Sequence, residues 1–284
     1  MFTRRNFLVV TVAAIVSATL PCAVRAGEER KGSGEESLTI IQWCDPQIGF
    51  SQRGCAADIE IVKKTVGQIN ALKPDLLVVA GDLVNANDEK TVADFKAAIA
   101  AIDVPYVLTP GNHDIQPPVT EEKLGVYRRR YGPDRKALEI KGVKVIAVNS
   151  VLWMPKTPQN LAEEHNAWLH GELLAAKEGK LPVILLSHIP PFVKVPDEKD
   201  GYSNVPLSYR QTLLDLCADH GVIFFLSGHT HTVFRGECRG TTFLRAETTS
   251  KNFDKRPLGF RVLKMPAGGR GAFTWDFVPV DCGS

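Results

Sequence analysis

Six short apolar runs recur along the chain: "LTIIQWC" (38–44), "DLLVVAG" (75–81), "PYVLTPG" (105–111), "VKVIAVNS" (143–150), "LPVILLSH" (181–188) and "VIFFLSGH" (222–229). Their apolar character is continuous rather than alternating, as in strands covered on both faces. Between them, apolar residues return at helical spacing. Over 56–72, Ile59, Val62, Val66 and Ile69 share one face; over 87–102, Val92, Phe95, Ile99 and Ile102 do. The segments 159–179 and 208–221 repeat the pattern, and each stops at a glycine. This alternation predicts an α/β domain with sheets buried between helices. Beyond residue 231 the pattern changes. "VFRGEC", "TTFLRA", "GFRVLKM" and "AFTWDFV", separated by glycine-containing turns, predict antiparallel strands. There is no long repeat and no linker, so residues 38–284 are expected to form one domain.

The first 26 residues are set apart by a basic start, an apolar run from Leu8 to Leu20 and small residues around Ala26. That run is short for a bilayer span, so a removable export signal is expected rather than an anchor. Thr3-Arg4-Arg5-Asn6-Phe7-Leu8 resembles a twin-arginine signal, although Val9 stands where a lysine often follows, and ordinary Sec export is the alternative. Residues 27–37 are charged and Gly/Ser-rich, as expected of a flexible arm. The expected location is periplasmic or extracellular, with no membrane span once the signal is gone.

At 44% hydrophobic and 23% charged, the composition is that of an ordinary globular protein. Removing residues 1–26 takes Arg4, Arg5 and Arg25. Lys plus Arg then falls from 34 to 31 against 32 Asp plus Glu, and the formal charge from +2 to −1. No global basic excess is left to hold a nucleic-acid backbone, and "YRRRYG" (127–132) reads as a solvated helix end. Five cysteines remain, Cys44, Cys55, Cys217, Cys238 and Cys282, with no C-x-x-C pair. An odd count leaves a free thiol or an intermolecular bond, and a cysteine zinc site is not expected.

The chemistry gathers where the runs end. The first ends in Cys44-Asp45-Pro46-Gln47, the second in Gly81-Asp82-Leu83-Val84-Asn85, the third in Gly111-Asn112-His113-Asp114. The fifth ends in Ser187-His188, and the sixth in Gly228-His229-Thr230-His231. Open α/β sheets place their sites at the carboxyl ends of strands. Carboxylate, amide and imidazole without paired thiolates suit hard or borderline divalent ions such as Mn, Fe, Zn or Mg. His229 and His231 alternate, so on a straight strand they would face apart. They need a turned backbone to converge, which Gly228 is expected to allow.

The ordered set D-P-Q, G-D-x-x-N, G-N-H-D, S-H and G-H-T-H resembles the calcineurin-like metallophosphoesterase superfamily over about residues 38–265. Its D-P-Q branch of calcineurin-like phosphoesterase domain-containing proteins is the most similar. The resemblance implies a four-layer α-β-β-α sandwich with two central mixed sheets and two divalent metal ions. Carried over by position, Asp45, Gln47, Asp82 and His231 would hold the first ion. Asp82 would bridge to the second, which Asn112, His188 and His229 would complete. His113 matches the catalytic histidine, with Asp114 beside it to orient its ring or to serve only as a turn residue. Two such ions clamp a phosphoryl group and turn a bridging water into hydroxide. Most of the superfamily has histidine where this chain has Gln47. A neutral carbonyl donor implies a weaker first site favouring Mn, Mg or Fe over Zn.

The remaining histidines carry blander readings. His165 and His170 are expected to be exposed on the 159–179 helix, His220 to cap a helix end, and Cys44 to be a buried structural cysteine. The segments 153–160 and 190–206 are long enough to wall a cleft, with Tyr202, Asn204 and Arg210 as candidate substrate contacts. The function expected is phosphate-ester hydrolysis, a phosphomonoester of a small molecule or phosphoprotein being favoured. The alternatives are a phosphodiester, or a binding module with an impaired site.

Overall fold

The computed structural model describes residues 36–280. The export signal read over 1–26 lies outside the described residues. So does the arm read over 27–37, except its last two positions, and Ser37 already opens the first strand. In chain order the first half holds β1 (Ser37–Trp43), α1 (Cys55–Leu72), β2 (Leu76–Ala80), α2 (Glu89–Ile99), β3 (Tyr106–Thr109) and α3 (Glu121–Tyr131). Then come β4 (Lys136–Ile140), β5 (Val143–Ala147), α4 (Gln159–Glu178), β6 (Val183–Leu186), α5 (Leu207–Asp219) and β7 (Val222–Ser227). Four strands close the chain: β8 (Phe234–Cys238), β9 (Thr241–Arg245), β10 (Gly259–Pro266) and β11 (Thr274–Pro279). Among the described residues, no helix is long and apolar enough to cross a membrane.

Two mixed sheets result. One runs β11-β10-β1-β2-β3, with β1, β2 and β3 parallel and the other two antiparallel. The other runs β4-β5-β6-β7-β9-β8, parallel from β5 to β9 with an antiparallel strand at each edge. The closing strands therefore do not form a sheet of their own. β8 and β9 complete the second sheet, with β9 parallel to β7, while β10 and β11 cross to the first.

Three apolar clusters divide the molecule into four layers. Leu38, Ile40, Val78 and Ala80 of the first sheet meet Val145, Ile184, Leu226 and Leu244 of the second. The outer face of the first sheet, Ile41, Trp43, Leu77 and Val79, packs on α1, α2 and α3 through Val62, Phe95 and Tyr127. The outer face of the second packs on α4 and α5 through Leu169, Leu173, Leu213 and Cys217. The α-β-β-α sandwich follows from strands that are apolar on both faces.

Local readings shift in detail. Ile61 joins Val62, Val66 and Ile69 in the core, and Ile59 packs partly buried against it. The helix α3 carries only two buried side chains, Leu124 and Tyr127, so its apolar period is faint. His165 is fully buried, against the exposure expected of it, and its ring lies 5.5 Å from Trp153 and 5.9 Å from Trp168. Neither of its nitrogens has a hydrogen-bond partner, and burial pushes its pKa down to about 3. Cys238 is disulfide-bonded, whereas Cys44, Cys55 and Cys217 are free thiols. His220 caps α5 as expected, its Nδ1 3.0 Å from the Leu216 carbonyl.

Candidate metal centre

The parallel strands β1, β2, β3, β6 and β7 deliver their carboxyl ends to one edge of the sandwich. Each segment then has to turn sharply, and the predicted ligands make the turns themselves. Asp45 (φ 47°), Gln47 (36°), Asp82 (47°), His229 (69°) and His231 (52°) all sit in the left-handed region. A side chain held there costs about 1–2 kcal/mol per residue, so the cluster marks positions chosen for what the side chains do. The turn at 228–231 is thus made by the two histidines; Gly228 is not among the glycines of positive φ. What Gly228 provides is room. A Cβ there would lie 2.5 Å from Asp45 Oδ2 and 2.9 Å from the Ala80 carbonyl oxygen. Gly81 clears His188 in the same way, and Gly111 clears Asp82.

Four donor groups converge around His188. Its Nε2 lies 3.0 Å from Asn112 Oδ1, 3.0 Å from His229 Nδ1 and 3.3 Å from Asp82 Oδ2. Ligand atoms of Asp82, His188 and His229 all fall within 4.8 Å of one another. A neighbouring pair is built from Asp45 and His231, with Gln47 two residues after Asp45 on the same turn. His231 Nε2 lies 3.7 Å from Asp45 Oδ1, and His188 Nδ1 is the same distance away. Gln47 is buried, yet its Oε1 has no hydrogen-bond partner. An orphaned buried carbonyl costs about 1–3 kcal/mol unless something accepts its lone pair, and a cation does so. The donor set therefore fits divalent metal.

The imidazoles are held in the tautomer that ligation needs. His188 Nδ1 is 2.8 Å from the Ala80 carbonyl oxygen, His229 Nε2 3.0 Å from that of Tyr202, and His231 Nδ1 2.6 Å from that of Lys251. A carbonyl only accepts, so each outer nitrogen carries a proton and each inner one is the nitrogen left to face the site.

Burial dominates the electrostatics. It raises the Asp45 carboxyl to about 6 against the pull of His231 and His188. Asp82 is equally buried, but the charge and hydrogen bond of His188 outweigh that and hold it below the usual carboxylate range. Burial opposes charge on His188 too, yet Asp82 lifts it to about 9. His229 falls to about 3, through burial and then the charge of His188. The pocket thus keeps positive charge among its carboxylates, and a divalent ion would take the place of the His188 proton.

His113 and Asp114 separate. His113 is half-buried, its amide donates to Asp82 Oδ1 at 2.9 Å, and its Nδ1 lies 3.0 Å from the Asn85 carbonyl oxygen. Asp114 does not orient that ring, which corrects the catalytic role read for it. Its Oδ1 accepts from the amides of Leu83 (2.9 Å) and Val84 (3.5 Å), and its Oδ2 from Gly111 (2.8 Å). Burial, followed by the charge of Asp82, raises it to about 8 while those amides hold it down. Asp114 is the clip that fastens the Asp82 turn to the Gly111 turn.

The 190–206 segment also sorts itself. Asn204 bonds Glu198, Lys199 and Gly201, and Arg210 bonds the carbonyls of Val205, Pro196 and Glu198, so both shape the loop from within. Tyr202 reaches the site. Its hydroxyl accepts from Asn112 Nδ2 at 2.8 Å, which turns Asn112 Oδ1 towards His188. Sequence reasoning missed the carbonyls of Ala80, Tyr202 and Lys251, and that Asn85, named in its motif, acts through its own carbonyl, because a carbonyl leaves no mark in residue identity. The strand-end glycines were the one visible sign of crowding.

Comparison with known proteins shows the family and the fold. The model of the calcineurin-like phosphoesterase family matches residues 44–233. The serine/threonine-protein phosphatase CPPED1 of Danio rerio is 30% identical over 226 residues, 72% of each chain. A probable cyclic nucleotide phosphodiesterase of Synechococcus is 28% identical over 79% of this chain and 84% of its own length. A solved dimetal phosphatase from Danio rerio superposes with a TM-score of 0.65 at 12% identity, over 81% of this chain and 93% of that one, which shows the fold. With the family model spanning every strand end that carries a donor, the chain belongs to the calcineurin-like phosphoesterase family and is a metal-dependent phosphoric ester hydrolase.

Proposed function

We propose that the protein is a dinuclear phosphomonoesterase. The observation that carries this reading is the division of the donors into two groups. Asp82, Asn112, His188 and His229 would hold one ion, and Asp45, His231 and the unpaired Oε1 of Gln47 a second, with Asp82 close enough to raise the pKa of Asp45. Two divalent ions would supply Lewis acidity to the phosphoryl oxygens and a nucleophile at neutral pH. The side chains orient and screen. The carbonyls of Ala80, Tyr202 and Lys251 fix the rings, and burial of Asp45, Asp82 and His188 excludes bulk water. His113, its Nδ1 proton committed to Asn85, offers Nε2 to carry the proton that the leaving oxygen takes. The preference for monoesters rests on similarity to the CPPED1 phosphatase.

The test compares 4-nitrophenyl phosphate with bis(4-nitrophenyl) phosphate, using protein stripped and reloaded with Mn, Fe, Zn or Mg. The expected result is metal-dependent turnover, faster on the monoester, and reduced about 10²–10⁴-fold in His113→Ala with metal content unchanged. Faster diester turnover would move the assignment to a phosphodiesterase. Saturation at one ion per chain would refute the dinuclear reading.

A further inference from the structure

The two most exposed large apolar side chains among the described residues both lie against the metal centre. Tyr202 is 66% exposed and Phe253 55%. The Tyr202 ring lies 4.9 Å from that of His229, and the Phe253 ring stacks on His231 at 4.9 Å with an interplanar angle of 18°. Each therefore packs on a different histidine of the Gly-His-Thr-His turn. Phe253 is also pinned there, its amide donating to the His231 carbonyl at 2.8 Å, with Phe50 edge-on behind it at 6.2 Å. Among the described residues the other exposed aromatic ring, Tyr106, is less open at 41%. Tyr202 and Phe253 face solvent at the mouth of a polar site, where they cost hydration free energy unless a ligand covers them.

The ligand they fit follows from the surroundings. Asp45, Asp82, His188, His229 and His231 are all less than a tenth exposed. The organic part of a phosphate ester bound among them has to leave past the exposed rim. That rim presents two ring systems, with Lys251 Nζ 6.0 Å from the centre of the Phe253 ring. We infer that Tyr202 and Phe253 are specificity walls for a phosphate ester with a planar aromatic leaving group, favouring aryl over alkyl esters. The inference rests on the phosphoesterase reading and names the substrate class of the same site. Aromatic pairs favour offset or tilted stacking, and each contributes a few-fold in affinity.

Non-hydrolysable ligands test this without turnover. Phenylphosphonate and methylphosphonate would be titrated calorimetrically into the Mn-loaded full-length protein. Phenylphosphonate is expected to bind on the order of tenfold more tightly. In Phe253→Ala that ratio is expected to fall to about threefold, and likewise in Tyr202→Leu, which keeps its backbone carbonyl on His229. Leu174→Ala, an exposed change on α4 far along the chain, should keep the wild-type ratio. A ratio near one in the wild type, or one unchanged in both wall variants, overturns the proposal and leaves the phosphoesterase reading standing. Equal weakening of both phosphonates in Phe253→Ala also overturns it, since Phe253 would then act only through His231. Binding of neither phosphonate overturns both readings.

Discussion

Gly81→Ala is the sharpest perturbation of the centre that leaves every donor in place. Gly81 has φ +72°, and an added Cβ would lie 2.7 Å from the Cβ, Cγ and Nδ1 of His188. Ordinary contact begins at 3.4 Å, so the ring would have to retreat by about 0.7 Å. It has nowhere easy to go. Nδ1 is tied to the Ala80 carbonyl at 2.8 Å, the His188 amide to Ser150 Oγ at 3.2 Å, and its carbonyl to the Gly228 amide at 3.0 Å. The left-handed backbone adds about 1–2 kcal/mol and the overpacking about 1–3 kcal/mol. Thermal unfolding should therefore fall by roughly 4–20 °C. Displacement of Nε2, which faces three donors within 3.3 Å, should lower kcat/KM on 4-nitrophenyl phosphate by about 10²-fold or more. Gly171→Ala is the matched control. It lies inside α4 with nothing within 4 Å of its added methyl. The protein should gain up to about 1 kcal/mol and keep its turnover. A Gly81→Ala protein with wild-type unfolding temperature and wild-type turnover would refute the claim that this glycine clears space for His188.

Three further outcomes follow from particular side chains. Gln47→Leu should weaken one of two Mn binding steps at least about tenfold in calorimetry while leaving the metal-stripped protein as stable or more so, because it removes an unpartnered buried oxygen; two unaltered steps would refute its role as a donor. His165→Phe should flatten the acid limb of stability. The folded pKa near 3 lies below the unfolded value of about 6.5, so only the unfolded chain binds that proton between them, and wild-type stability falls with pH below 6.5 by up to about 1.4 kcal/mol per unit. Urea unfolding at pH 7 and pH 5 should show a smaller loss in the variant, and an equal loss would count against the account. At pH 9, above the Asp114 pKa of about 8, where the carboxylate only accepts, Asp114→Asn should cost about 1–3 kcal/mol, since an amide NH2 would face backbone N–H donors; urea unfolding at that pH indistinguishable from wild type would remove its role as a clip.

The strands were legible because burial on both sheet faces writes continuous apolar runs, whereas the layer order came only with the family resemblance. The polar residues that interrupt those runs stand where a sheet presents its edge. Less was legible where identity and geometry part company. G-H-T-H suggested that the glycine turns the chain, but the histidines take the positive φ and the glycine only makes space. Asp114, adjacent to His113 in sequence, serves a different turn because its carboxylate meets the amides of Leu83 and Gly111. A histidine on a polar helix face reads as exposed, yet His165 is enclosed by tryptophans that arrive from elsewhere and from the next turn. Tyr202 came within the reading only as one of three loop residues. Its hydrogen bond to Asn112 spans 90 positions, which no local pattern encodes.

The tethering of all three candidate ligand imidazoles to backbone carbonyls makes part of this enzyme silent to mutation. Ala80, Tyr202 and Lys251 can each exchange their side chains and still present the same oxygen, so a substitution scan would score their tethering role as dispensable. As far as the tether alone is concerned, side-chain identity at these positions carries no information, and a change there leaves unaltered which nitrogen holds the proton. Only changes that move the main chain, such as an insertion in the 190–206 loop or a proline within reach of residue 251, would expose the dependence. An atom-for-atom replacement of the carbonyl by a thioamide or ester would reveal it directly.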